Sequence, residues 1–103
     1  MIPARISKRA ERDLERITGR IATENPAVAG RVREAFLETA DLLAGNAEMG
    51  LRILHASPRH ALIRWFVVPQ FRNYLIFYRP FQDTIVVVRI LHAAQDWTRL
   101  FGK

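Results

Sequence analysis

The second half of this chain carries three runs rich in Val, Ile, Phe, Tyr and Trp: Leu62 to Val68, Asn73 to Arg79 and Thr84 to Leu91. Pro69-Gln70 and Pro80-Phe81-Gln82-Asp83 separate them. Breaks this short leave no room for a crossover helix, so the runs pair as an antiparallel meander. A sheet made of such residues needs a layer to bury it.

The first half supplies that layer. Ile2, Ala4 and Ile6 alternate with Pro3 and Arg5, a short strand whose proline suits an edge or a strand start. Ser7 then reads as an N-cap, with Glu11 and Asp13 near the positive end of the helix dipole. Ala10, Leu14, Ile17 and Ile21 form one apolar stripe, flanked by Lys8, Arg9, Arg12, Arg16 and Arg20 among Glu11, Asp13 and Glu15. Charges of mixed sign in helix register read as a solvated face. Asn25-Pro26 restarts a helix, cap followed by N1 proline, and Ala29, Val32, Phe36, Ala40 and Leu43 give its stripe up to Gly45-Asn46. Residues 45–60 read as a loop with one short extended piece at Leu51 to Leu54, and Gln95 to Phe101 as a short helical tail. The expected fold is α+β in the order β-α-α-β-β-β. An N-terminal helical hairpin packs on one face of a small antiparallel sheet, within one domain over residues 1–103.

Several chemistries lack their residues. There is no cysteine, which removes disulfides and thiolate catalysis. His55 and His60 lie five apart in a loop with no carboxylate cluster, so no metal site and no cofactor is expected. Ser7 and Ser57 sit outside any nucleophile elbow, and no phosphate-binding glycine loop is present. No apolar run exceeds five residues, far below the ~20 that span a bilayer. A cytoplasmic protein with no membrane association is expected.

The formal charge is +6. Residues 1–50 hold eight basic and eight acidic side chains, whereas residues 51–103 hold eight basic against Asp83 and Asp96, so the excess lies in the second half. Fourteen of the sixteen basic residues are Arg, suited to gripping phosphate or carboxylate. Nucleic acid or an acidic protein segment would match.

By strand parity, Leu75 and Phe77 share a face with Val86, Val88 and Ile90, which is expected to meet the helices. The opposite face would hold Tyr74, Ile76, Tyr78, Ile85, Val87, Arg89 and Leu91. It is too apolar for a solvated face, so it reads as a partner-binding surface unless the tail or the 45–60 loop covers it. Arg89, mid-strand, needs a carboxylate, from a partner or from an internal residue such as Asp96. A metal-independent ribonuclease could draw on Arg64, Arg72, Arg79 and His92, with Tyr74, Tyr78 and Arg89 from the same sheet. The same arginines and aromatics equally suit a passive peptide receptor.

The helical hairpin broken at Glu24-Asn25-Pro26, the strand Asn73-Tyr74-Leu75-Ile76-Phe77-Tyr78-Arg79 and the closing Val88-Arg89-Ile90-Leu91-His92-Ala93-Ala94-Gln95-Asp96 resemble the ParE branch of the RelE/ParE toxin superfamily. The resemblance implies the toxin of a type II toxin–antitoxin pair, bound in a hetero-oligomer with a cognate antitoxin. ParE toxins stall DNA gyrase on cleaved DNA, with no cofactor and no catalytic step of their own. Antitoxin or target contacts would then fall on Tyr74, Ile76, Tyr78, Arg79, Val87, Arg89 and His92. The alternatives are a RelE-type endoribonuclease acting on ribosome-bound messenger RNA, and an inactive antitoxin-binding module. The family's closing motif commonly reads His-Gly-Ala-Arg-Asp, where this chain has Ala93 and Gln95 at the Gly and Arg places. Ribonuclease members carry a catalytic Arg where this chain has Leu75, and an aromatic after the terminal His where it has Ala93.

Overall fold

The computed structural model describes residues 2–102. The chain runs β1 (Arg5–Ile6), α1 (Lys8–Ala22), α2 (Pro26–Ala44), β2 (Leu51–Arg52), a 3-10 turn (Pro58–His60), β3 (Arg64–Val67), β4 (Tyr74–Phe81), β5 (Thr84–His92) and α3 (Thr98–Phe101). Both long helices start on the expected caps. Ser7 Oγ accepts from the Ala10 N–H at 3.1 Å, and Asn25 Oδ1 from the Val28 N–H at 3.2 Å. The two apolar stripes face the sheet, with Ala10, Leu14, Val32, Phe36, Ala40 and Leu43 buried.

The sheet order is β1-β5-β4-β3-β2. The three predicted strands form the meander β3-β4-β5, antiparallel throughout. β1 pairs parallel to β5 through Arg5↔Val86 and Ile6↔Val87, so the five-stranded sheet is mixed rather than antiparallel. The extended piece at Leu51 becomes the edge strand β2. Pro80 lies within β4, past the last β3 partner at Arg64↔Tyr78, where that side of the strand is an open edge and a missing N–H breaks no ladder.

The face assignment is corrected. Ile76, Tyr78, Ile85, Val87 and Ile90 lie beneath the helices with Tyr74 packed against them, while Leu75, Phe77 and Leu91 line the other face. A shift in pairing between Phe77 and Tyr78 makes Arg89 oppose Phe77 while Val87 opposes Tyr78. The extra residue, Val88, is a bulge that turns Ile90 toward the helices and Leu91 away. The tyrosines can face the helical layer because the Tyr78 hydroxyl reaches its rim. It donates to the Ala47 carbonyl at 2.8 Å and accepts from the Gly50 N–H at 2.8 Å. Burial pushes the Tyr78 phenol above its usual 10.0, against the opposing effects of the Gly50 N–H and the Arg64 charge, and the hydroxyl stays protonated. Arg64 Nη1 donates to the Gly50 carbonyl at 2.7 Å, tying the same loop from the strand beside it.

The second face is closed by the tail and the 53–63 segment. Phe101 stacks on Phe77 at 4.8 Å, and Trp97 packs against Phe77 at 5.4 Å and Trp65 at 5.8 Å. Ser57 N–H donates to the Phe101 carbonyl at 2.9 Å, and His60 Nδ1 lies 2.9 Å from Ser57 Oγ and 3.2 Å from the same carbonyl.

Asp13 locks α1 to the sheet. Its side chain is fully buried, and β1 covers the edge of β5 only at Val86 and Val87. Just beyond, the Ile90 N–H donates to Asp13 Oδ2 at 3.0 Å, so a carboxylate stands where a neighbouring strand would accept. Arg89 adds a two-pronged grip, Nε to Oδ2 at 2.7 Å and Nη2 to Oδ1 at 3.2 Å. Arg16 donates to Oδ1 at 3.3 Å, and Arg9 stands 3.9 Å away. Burial alone would raise the carboxyl's pKa. The hydrogen bonds from Arg89 and Ile90, with the charges of Arg89 and Arg16, outweigh that and bring it below the ordinary 3.8.

Two outcomes follow for stability. Because the folded carboxyl titrates below the unfolded one, its contribution is complete above the unfolded value near 3.8 and vanishes as pH falls through the folded value. Asp13→Asn should cost about 2–4 kcal/mol at neutral pH, since it strands Arg89, and should flatten the acid limb of denaturant midpoint against pH. A Cβ at Gly50 would lie 2.5 Å from the Tyr78 hydroxyl oxygen and 2.9 Å from the Trp65 carbonyl oxygen. Gly50→Ala should therefore cost about 1–3 kcal/mol in thermal or urea unfolding, by displacing the Tyr78 hydroxyl from its two partners.

Candidate functional site: an arginine cleft and an apolar groove

The sequence candidates separate into three environments. Ile76, Tyr78 and Val87 are buried beneath the helices, so the open face expected for them is closed by the protein's own hairpin. Their parity reading placed them together correctly but on the wrong side of the molecule. Arg89 does meet an internal carboxylate, and it is Asp13 rather than Asp96. Asp96 instead accepts from Thr98 Oγ1 at 2.6 Å.

Tyr74 and His92 are cross-strand partners at one end of the β4–β5 pair. Their rings meet edge to face at 5.3 Å, and Tyr74 also meets Phe36 edge to face at 5.8 Å. The Ala94 N–H donates to His92 Nδ1 at 3.0 Å, which makes Nδ1 the acceptor and leaves Nε2 to carry the proton of the neutral ring. The Gln95 side-chain carbonyl accepts from the His92 N–H at 3.0 Å. Together with Arg16, Ile17 and Arg20 of α1, these residues line a cleft of about 400 Å³. None of its lining residues is acidic, so its chemistry is that of an anion site. Arg16 and Arg20 are not legible as site residues in the sequence, because charges of both signs along α1 match a solvated face equally well.

Arg79 lies at the opposite end of the ladder, paired with Val86. Its guanidinium stands 5.4 Å from the Phe81 ring centroid, with Arg5 5.5 Å from the same ring. Arg79 also lines a second cleft of about 390 Å³ with Arg59, His60, Arg89 and Phe101. Arg64 is occupied with the loop carbonyls of Glu48 and Gly50. Arg72 is exposed in the turn before β4. The four nuclease candidates Arg64, Arg72, Arg79 and His92 therefore do not converge: Arg64 and Arg79 sit at one end of the strands, and His92 and the turn that carries Arg72 at the other.

A third surface was not foreseen. Leu51, Arg52, Leu54, Trp65, Trp97 and Thr98 line a groove of about 560 Å³ at the β2–β3 edge. Leu54 is 81% exposed and Leu51 60%, and Leu62 and Leu100 also stand in solvent on the molecule's surface. The 45–60 segment gave no periodic signal in which an apolar rim could have been read.

Among the described residues no group of His, Asp and Glu is placed to hold a metal ion, and no helix is long and apolar enough to cross a membrane. A family model described as the ParE toxin of the type II toxin–antitoxin system parDE matches residues 4–97. A chain from a solved structure of the chromosomal ParDE toxin–antitoxin system of P. aeruginosa superimposes with a TM-score of 0.71 at 18% identity, covering 89% of this chain and 96% of that one. At that identity the superposition establishes the fold, and the family model carries the kinship. No curated protein sequence matches the chain. With nearly its full length matched, this chain belongs to the ParE toxin family of type II toxin–antitoxin systems.

Proposed function

We propose that this protein arrests growth by acting on DNA gyrase, in the cytoplasm, and that a cognate antitoxin neutralises it in a hetero-oligomer. The observation that carries the reading is the family match over residues 4–97. The dispersal of Arg64, Arg72, Arg79 and His92 supports a toxin that works by binding, because general acid–base cleavage of RNA needs such groups around one phosphate.

The antitoxin's place moves with the corrected faces. A segment with apolar anchors fits the groove of Leu51, Leu54, Trp65 and Trp97, and acidic side chains on it would meet Arg52 and the exposed Arg99 nearby in the tail. Arg89 is not free for that role, since Asp13 already holds it.

Purified toxin should inhibit supercoiling and accumulate cleaved DNA in a gyrase assay while leaving in vitro translation intact. Translation arrest with messenger RNA cleavage and normal supercoiling would replace the gyrase reading with the nuclease one. Inertness in both assays would leave an antitoxin-binding module. His92→Ala removes only an acceptor for the Ala94 N–H and a ring contact, so toxicity at matched protein level should persist on plates. Leu54→Ser should leave unfolding within about 0.5 kcal/mol and weaken the antitoxin, measured by calorimetry, by about 1.5–3 kcal/mol. Unchanged affinity would put the antitoxin elsewhere.

A further inference from the structure

The charges of α1 are segregated rather than mixed. At about 100° per residue, Arg9, Arg12, Arg16 and Arg20 fall within roughly 80° of arc, with Glu11 and Glu15 outside it. The single carboxylate bordering that arc, Asp13, is buried and held chiefly by Arg89; Arg16 donates to it at 3.3 Å and Arg9 stands 3.9 Å away, both with half-exposed side chains, while Arg12 and Arg20 are left unpaired among the described residues. Four guanidiniums therefore form a row about 17 Å long, at 1.5 Å rise per residue, beside the edge of β5. The row opens at its C-terminal end into the cleft of Arg16, Arg20, Tyr74, His92 and Gln95, whose lining has no acidic residue.

We infer that this row and cleft bind the phosphate backbone of duplex DNA, without reading its bases. Three features favour that ligand. The surface offers donors but few apolar anchors, Ile17, Ala94 and part of the Tyr74 ring in the cleft, whereas a docked peptide needs a desolvated apolar centre. The nearby rings already pack on one another: the half-buried Tyr74 meets both Phe36 and His92 edge to face, which leaves little ring surface for the splayed bases of a single strand. The apolar groove lies at the other edge of the sheet, so the two surfaces do not share an occupant. The inference concerns the toxin's own contact with DNA and stands whether or not gyrase is the target.

The test is fluorescence anisotropy of the toxin with a labelled random-sequence duplex, titrated at several salt concentrations. Non-specific binding with a Kd of about 10⁻⁴ to 10⁻⁶ M is expected, falling steeply with salt. Arg12 and Arg20 make no ion pair among the described residues, so Arg12→Gln/Arg20→Gln should fold normally, checked by circular dichroism. It should lower the slope of log K against log salt by about 1.8, two phosphates' worth. The control Arg31→Gln/Arg33→Gln removes the same charge from exposed positions on α2 and should leave the slope nearly unchanged. Equal effects of the two pairs would reduce the binding to net charge and overturn the assignment. Tighter binding of single-stranded RNA, or displacement of the duplex by an equal concentration of poly-glutamate peptide, would overturn it in favour of those ligands.

Discussion

The Asp13 carboxylate is the joint on which the two layers of this protein depend. A buried charge is unfavourable unless its lone pairs are filled, and here Arg89, Arg16 and the Ile90 N–H fill them. The Ile90 bond has a second consequence. β1 is only two residues long, so the β5 edge would otherwise present an unpaired N–H at Ile90, beyond the stretch that β1 covers. By accepting there, α1 substitutes for the missing strand and is fixed in height and rotation against the sheet. That rotation decides which of its charges face the β5 edge and which face away.

The bulge at Val88 makes the joint possible. In a regular ladder Arg89 would share a face with Val87, beneath the helices, where a long cation has no room beside Ile76, Ile85 and Val87. The extra residue places it opposite Phe77, at the rim, from where its guanidinium reaches Asp13. Both the second cleft and the buried ion pair use that position, so Arg89 holds the fold together and lends its charge to the surface.

Legibility in the sequence followed the range of the interaction. Helix caps, apolar stripes and the meander depend on neighbours a few residues apart, and all of them were readable. So was the grouping of Tyr74, Ile76 and Tyr78 with Ile85 and Val87. Which side that group would face was not, because it turns on whether a tyrosine hydroxyl finds partners, and those partners are backbone atoms of Ala47 and Gly50, 31 and 28 residues away. The bulge leaves no mark in a run as uniform as Thr84 to Leu91. The sequence does carry one signal for the joint: Asp13 stands three residues after Ala10 and four before Ile17, on the border of the apolar stripe, where a carboxylate is not solvated by default. The arginine cleft was half legible, since Tyr74 and His92 were found while Arg16 and Arg20 on the facing helix were not.

The separation of the two exposed surfaces constrains what a single partner can cover. The apolar groove belongs to the β2–β3 edge and the arginine row to the β5 edge, three strand spacings apart, or roughly 14 Å. The row also lies in the helical layer rather than on the second face, which adds roughly 10 Å of depth. At about 3.3 Å per residue, an extended segment anchored among Leu51, Leu54 and Trp97 needs some seven further residues to touch Arg20, and more if it follows the curved surface. A short apolar anchor therefore binds without masking the cations, whereas a longer acidic extension masks them and gains their charge–charge attraction. Occupancy of the groove and neutralisation of the arginine row are then separable properties of the partner, set by its length rather than by its anchor.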